Sequence, residues 1–369
     1  MIIPWWQVKI DENSAQAAYN AILQGKLSMG SITEEFEAEV SKFLGTEHAI
    51  AVNSGSSALL LSLLSLNLEP DDEILVQNRS WIAAAHAVKI LGAKPILVDV
   101  EESSPIISLA DLEKKITERT KAIIVVHMNG RCSDLKQLRR IASDNKIYLI
   151  EDAAQALGSK FENRYLGTFG ELGCFSLSIA KIIGSGQGGF IVTDSNERAE
   201  LLRKLRIHGM DDTKEANWYR CGFNFRFADP LAAIALSELK HLPARLNRQK
   251  EVYKIYESAI SGLARVNLIT TQVHKEEIGP YIEVLVDNRF SFMEFMKTQG
   301  IDTRSFYPSI SRATYIGTTS ECVNTEKFAK YGVYLPSGPS ITNMEIDKVI
   351  HSLREYENFS SRCMNVSKA

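Results

Sequence analysis

The chain has 369 residues, 45% of them hydrophobic and 24% charged, with 42 Lys and Arg against 45 Asp and Glu. That length fits two domains or one large one at roughly 100–200 residues each, with a core that needs no disulfide or metal to hold it. A net charge of −3 argues against an extended nucleic-acid surface while leaving room for a small basic pocket, and the high apolar content argues against disorder.

The opening MIIPWWQVKIDEN is apolar for six residues with no basic stretch before them, so no signal peptide is expected. Residues 1–15 read as an arm. A short β-like run followed by a helix-like run then recurs. Ala49–Val52 leads into Ser56–Leu66, Glu73–Val76 into Ile82–Leu91, and Pro95–Val98 precedes a helix near Leu109–Ile116. Ala122–Val126 leads into Leu135–Asp144, and Ile147–Ile150 follows. Phe175–Leu177 and Gly189–Thr193 add two strands close in sequence. This alternation predicts an α/β fold, a mostly parallel sheet with helices on both faces.

Glu197–Ile207 reads as a helix, followed by a polar stretch with Gly and aromatic residues, His208–Phe227. Asp229-Pro230 is expected to open the next helix as N-cap and first-turn proline. Leu231, Ile234, Ala235, Leu239 and Leu242 form its apolar stripe, and Arg248–Ser261 continue in helix. Beyond it, strands such as Ile282–Val286 mix with helices at Phe290–Gln299 and Asn343–Leu353. A boundary is placed near residue 240: arm 1–15, large α/β domain 16–240, smaller α+β domain 241–369, with Ser360–Ala369 a loosely held tail. Five cysteines, Cys132, Cys174, Cys221, Cys322 and Cys363, lie far apart with no CxxC pair, against a secreted disulfide framework or a zinc ribbon. The most apolar stretch, Ala58–Leu66, is short and broken by Ser62 and Ser65, so no membrane span is expected. The expected compartment is the cytosol.

Three segments carry chemistry. In AVNSGSSALL (51–60) a strand ends, Gly55 permits a tight turn, and Ser56 and Ser57 open a helix whose free N–H groups and positive dipole end suit a phosphate. The spacing is neither a nucleotide P-loop nor a GxGxxG, and taken alone the segment is well explained as an ordinary capped helix. In YLIEDAAQAL (148–157), Glu151 and Asp152 sit where an apolar strand ends, the edge at which open α/β sheets bind ligands. A carboxylate there suits a metal, a proton on a cofactor or plain helix capping. The seven scattered histidines form no HxH or HExxH pair, which disfavours metal. In GCFSLSIAKIIGSGQGG (173–189), Lys181 lies between an apolar strand and a loop containing Gly184, Gly186, Gly188 and Gly189. A lysine among apolar neighbours loses its proton more easily and becomes a nucleophile, although a lone lysine is ordinarily a solvated surface residue. Together these are the parts that bind pyridoxal 5'-phosphate (PLP): the lysine forms the Schiff base and the aspartate keeps the pyridine nitrogen protonated.

The order and the spacing of 29 residues from Asp152 to Lys181 resemble fold-type I PLP enzymes. EDAAQA, FSLSIAK followed by GQGG, and GFNFRFADPLAAIAL resemble the DegT/DnrJ/EryC1/StrS family of sugar aminotransferases, over about Ser28 to Leu353. The resemblance implies a seven-stranded, mostly parallel sheet in the large domain. It implies that Lys181 is the Schiff-base lysine and proton shuttle, that Asp152 pairs with the pyridinium nitrogen, and that Gln155 contacts the phenolic-oxygen side. Gly55, Ser56 and Ser176 would hold the phosphate and Trp81 would stack on the ring. Asn224 would reach the phosphate of the other subunit's cofactor, making a homodimer with shared sites. The chain departs from the family pattern at Ser56, at Gln187 in place of a glutamate, at Ser176-Leu177, and at Asn78-Arg79. The last of these bears on substrate shape.

The implied activity is transfer of an amino group from glutamate to a keto-sugar, foremost a nucleotide-linked one. The alternatives are a keto-cyclitol or unlinked keto-sugar in an antibiotic-type pathway, or a non-enzymatic PLP-binding regulator. Dehydratase relatives carry His at the lysine position, and Lys181 argues against that reading. No metal, nucleic acid or membrane partner is expected. Substrate discrimination is expected from Trp5-Trp6, Gly25–Ser31, Arg79, and Arg304 to Tyr307. There Arg304 offers a fork for phosphate, and Phe306, Tyr307 and the tryptophans offer stacking faces.

Overall fold

A computed structural model describes residues 2–211, 217–218, 220–317 and 321–366, with the backbone alone beyond residue 358. Seven strands form the main sheet: β1 (His48–Val52), β2 (Glu73–Gln77), β3 (Lys94–Val98), β4 (Thr120–Val126), β5 (Tyr148–Asp152), β6 (Leu172–Ser176) and β7 (Gly189–Thr193), in the order β1-β7-β6-β5-β4-β2-β3. All are parallel except β7, which opposes β1 and β6. The strands are apolar through their middles because both faces are covered, and successive residues feed opposite cores. Ala51, Leu75, Ile123 and Leu149 enter one core, and Val52, Val76, Ile124 and Ile150 the other.

Among the described residues eight α-helices accompany this sheet: α1 (Glu12–Leu23), α2 (Ser31–Leu44), α3 (Gly55–Leu64), α4 (Ala83–Ile90), α5 (Leu109–Lys115), α6 (Leu135–Asp144), α7 (Asn196–Leu205) and α8 (Asp229–Ile260). Phe36 and Val40 of α2, Leu112 of α5, Leu138 of α6 and Leu242 of α8 cover the first face; Leu61 of α3, Val88 of α4 and Leu202 of α7 cover the second. Asp229 does not cap its own helix. Its carboxylate accepts from the Gly30 N–H at 2.9 Å, the Thr33 N–H at 3.0 Å and the Thr33 hydroxyl at 2.7 Å, so it caps α2 instead.

A second sheet, β8 (Val266–Leu268), β9 (Ile282–Val286), β10 (Arg304–Ser305) and β11 (Gly332–Leu335), is antiparallel in the order β8-β9-β11-β10. It packs with α9 (Arg289–Thr298), α10 (Val323–Tyr331) and α11 (Asn343–Val366). Helix α8 runs through the boundary expected near residue 240 without a break. Its Leu242 belongs to the large core, and its Val252, Tyr256 and Ile260 to the small one. The expected loose tail continues α11 as helix to Val366; residues 367–369 lie outside the described residues. The arm lies on the small sheet: Ile3 bridges to Ile301 and Trp6 to Ser337, and Ile3 is buried in that core. Among the described residues no helix is long and apolar enough to cross a membrane.

Candidate active site

Chain turns at the C-terminal ends of β1, β2, β5 and β6 converge on a cavity of about 290 Å³. After β1, Ser54 caps α3, its hydroxyl accepting the Ser57 N–H at 3.0 Å. An α-helix leaves its first-turn N–H groups without helical partners, and Gly55 and Ser56, at that end of α3, line the cavity. Ser176 at the end of β6 lines it too. Gly55 is required by close approach: a Cβ there would lie 2.8 Å from the Ser176 Cβ and 3.2 Å from its hydroxyl.

At the end of β5, strand parity gives two adjacent carboxylates opposite tasks. Glu151 turns into the interior, where it accepts the N–H groups of Gly167 (2.8 Å), Phe169 (2.5 Å) and Gly170 (2.6 Å) and pairs with His127 Nε2 at 2.7 Å. Burial alone would raise its carboxyl, but the His127 bond and charge and the N–H donors carry it below the ordinary range. Asp152 faces the cavity. Burial pushes its carboxyl up, against the pull of the Ala154 N–H at 3.1 Å and of the Lys181 and His127 charges.

Lys181 follows β6 on a tight loop, its N–H donating to the Ser178 carbonyl at 3.1 Å, and its side chain lines the cavity. Burial brings its amine down to about 8, with the Asp152 charge opposing. Gln155 lines the cavity with its Oε1 occupied by the Asn129 N–H at 3.0 Å, which leaves its Nε2 as the end free to donate. Trp81, 51% exposed and thus no core residue, meets Tyr307 edge-on at 4.9 Å. Arg304 lies 4.9 Å from the Trp5 ring centre and 5.3 Å from that of Tyr307; both Arg304 and Tyr307 line the mouth.

Of the residues expected to discriminate substrate, Trp5, Trp6, the Gly25–Ser31 stretch, Arg79 and Phe306 do not line the cavity; Asn224, expected at a second copy's site, lies outside it as well. Arg79 is only 1% exposed and does not line the cavity. The chain leaves β2 at Gln77, Asn78 is tied to Val98 and Ser311, and the Arg79 guanidinium slides beneath the small-domain aromatics. It sits 4.3 Å over the Phe306 ring and donates to the Tyr334 hydroxyl at 3.4 Å. Phe306 is buried against Tyr334 and offers no face to the cavity. Asn224 is exposed and outside the cavity, its Oδ1 accepting from Arg226 Nε at 2.9 Å.

Sequence reasoning missed Ser54, Ser178 and Tyr281 at the cavity wall and the His127 and Asn129 contacts behind it. Ser54 carried a visible signal, since a serine just ahead of an apolar helical run is a preferred N-cap, its hydroxyl accepting the backbone N–H three residues on. Tyr281 carried none, because it arrives from the small domain.

Binding PLP requires an amine for its aldehyde, an anion at its ring nitrogen and donors for its phosphate. Lys181 presents an amine, Asp152 a carboxyl group, and the Gly55-Ser56-Ser176 turn hydroxyls and helix-end N–H groups on one cavity, and the missing Cβ of Gly55 lets α3 approach Ser176 there. The residues present fit the group.

The DegT/DnrJ/EryC1/StrS aminotransferase family matches residues 8–354. The GDP-perosamine synthase of Caulobacter vibrioides is 33% identical over 337 residues, covering 88% of this chain and 90% of that protein. The dTDP-3-amino-3,4,6-trideoxy-alpha-D-glucose transaminase of Streptomyces venezuelae is 31% identical over 365 residues, 96% of each. The crystal structure of S. venezuelae DesV superimposes with a TM-score of 0.90 at 31% identity, covering 96% of this chain and 98% of that one. With a match across nearly the whole chain and a cavity that fits the cofactor, this protein belongs to the DegT/DnrJ/EryC1/StrS family of PLP-dependent aminotransferases.

Proposed function

We propose that this aminotransferase moves the amino group of glutamate onto a keto-sugar carried by a nucleoside diphosphate, in two half-reactions at one cavity. The observation that carries the reading is the shared wall: Lys181 and Asp152 line the same cavity as Trp81, Tyr307 and Arg304. The relatives support it, one being named for a GDP-linked sugar and another for a dTDP-linked one.

PLP, when bound, supplies a carbonyl that accepts an amine and a ring that spreads the electron pair left when the neighbouring C–H bond breaks. Lys181 Nζ, whose hold on its proton is weakened by burial, would bind the aldehyde and, once displaced, would take the proton of that C–H bond and deliver it to the carbon that had carried the carbonyl. The Asp152 carboxylate holds a proton at the pyridine nitrogen through a charge-assisted bond. Gln155 Nε2 donates on the phenolic-oxygen side, and Gly55, Ser56 and Ser176 bind the phosphate. Trp81 covers one face of the ring. Asn224, exposed on this chain, reaches the phosphate held by a second copy, so that the active unit is a two-fold dimer. Arg304, stacked on Trp5, offers a fork for the sugar's diphosphate.

The test is a half-reaction screen. Enzyme in the pyridoxamine form is offered GDP-, dTDP- and UDP-linked keto-sugars, an unlinked keto-sugar and a keto-cyclitol, and the return of the PLP absorbance is followed. Nucleotide-linked substrates should react at least about a hundred-fold faster than unlinked ones. Faster turnover of the unlinked sugar or the cyclitol overturns the assignment.

A further inference from the structure

After Lys181 the loop is anchored by Ile182 and Ile183 in the large core, but before it Ile179 is exposed, and Ala180 and Lys181 are half-buried. Yet three carbonyls around the lysine are held by side chains from distant parts of the chain. The Trp6 indole Nε1 donates to the Ile179 carbonyl at 2.9 Å. The Tyr281 hydroxyl donates to the Ala180 carbonyl at 2.6 Å. Arg245 Nη1 donates to the Ile182 carbonyl at 3.1 Å, while its Nη2 reaches the Lys9 carbonyl in the arm at 3.2 Å.

The donors are themselves fixed. Trp6 packs edge-on against Tyr281 at 5.3 Å. Backbone bonds on either side of Trp6 tie the arm to Ser337: its N–H donates to the Trp5 carbonyl at 3.0 Å, and its carbonyl accepts the Gln7 N–H at 2.9 Å. Tyr281 is gripped by Asn129, whose Oδ1 accepts the Tyr281 N–H and whose Nδ2 donates to the Tyr281 carbonyl, both at 2.8 Å. Asn129 Nδ2 also donates to Glu283 at 3.1 Å, and Arg131 pairs with that carboxylate at 2.5 Å. Burial keeps the Tyr281 phenol protonated and therefore a donor.

We infer that the N-terminal arm and Tyr281 form a clamp on the lysine loop, in which Trp6 and Tyr281 are positioning residues that fix the peptide groups immediately before Lys181. The physical reason is geometric. Lys181 must address two partners in turn, and a misplacement of about 1 Å at a reacting group costs on the order of a hundred-fold in rate. The inference rests on Lys181 as the PLP lysine.

Tyr281→Phe keeps the ring and deletes only its donor, whereas Trp6→Phe deletes the indole donor together with the pyrrole half of its ring. Three readings are taken on each: amide exchange across residues 178–184 of the apo-protein, the pH midpoint of PLP uptake by the apo-protein, and kcat and KM for both half-reactions. The expected result is faster exchange confined to that loop, a pH midpoint displaced upward from about 8 as water reaches the amine, and kcat lowered about ten-fold in both half-reactions with sugar KM within two-fold. An unchanged pH midpoint with kcat within two-fold of wild type, even alongside a lowered melting temperature, reduces the contacts to packing and overturns the clamp. If Tyr281→Phe fails to fold, the Trp6→Phe readings decide alone. Borohydride labelling of the wild type separates the two hypotheses: a label on another lysine sinks the assignment of Lys181, whereas a label on Lys181 with unaltered variants sinks only the clamp.

Discussion

Alanine at position 55 probes the phosphate cradle with one methyl group. Carbon atoms in contact sit roughly 3.5–4.0 Å apart, whereas the new Cβ would lie 2.8 Å from the Ser176 Cβ. Neither neighbour is the free end of a flexible chain. Ser176 closes β6, and a Cβ built at Gly189 would already lie 2.7 Å from the Gly55 nitrogen, so the start of α3 is wedged from two sides. The first turn of α3 must therefore shift by on the order of 1 Å. Overpacking of this kind costs about 1–3 kcal/mol, and replacing glycine by alanine in a helix returns about 0.5–1 kcal/mol. Apo-protein stability should consequently fall by no more than about 2.5 kcal/mol. PLP affinity should suffer more, because the shift misaligns donors to a charged phosphate, each worth about 1.5–3 kcal/mol. Losing one of them raises Kd by roughly ten- to a hundred-and-fifty-fold. Titration of the Gly55→Ala apo-protein with PLP, followed by absorbance, measures this directly, and melting curves with and without PLP separate the two contributions. A Kd within three-fold of wild type would show that Gly55 is a packing residue only, and that the cradle lies elsewhere.

Uptake of PLP by the apo-protein should rise with pH through a midpoint near 8 and level off above it, since only the neutral Lys181 amine attacks; Lys181→Ala should bind PLP without covalent capture by borohydride and lose transamination. A midpoint near the ordinary lysine range would contradict the burial argument. Asp152→Asn should keep the fold and the PLP but slow both half-reactions by at least about a hundred-fold, and near-normal turnover would mean that another group serves the ring nitrogen. Arg304→Ala should raise KM for the sugar about ten-fold and spare the glutamate half-reaction; equal losses in both would place Arg304 with the donor carboxylate or the fold. Mixing Lys181→Ala with Asn224→Ala protomers should restore activity, because each mixed dimer then holds one site with both lesions and one intact; a fully active monomer refutes the shared site.

Much of the cavity was legible along the chain because its parts sit on short turns at strand ends. Asp152 and Ser176 end, and Gly55-Ser56, Gln155 and Lys181 follow, strands that announce themselves by an apolar run, and the sheet delivers those ends to one edge. Strand parity and burial do the rest locally, as Glu151 and Asp152 show. Only tertiary structure decided the residues whose partners are remote. Arg79 stands two positions from Trp81, but β2 has already ended, so no alternation governs it, and aromatic rings more than two hundred residues away draw it out of the cavity. Asp229 had the local form of an N-cap, and the orphan N–H groups of α2 claimed its carboxylate instead. Trp6 and Tyr281 gave no sign in the sequence that they would meet at Lys181, because each reaches it through a hydrogen bond across one hundred residues or more. Local chemistry is written in neighbouring residues, but such long-range pairings depend on which surfaces packing brings together, and those surfaces exist only once both sheets have formed.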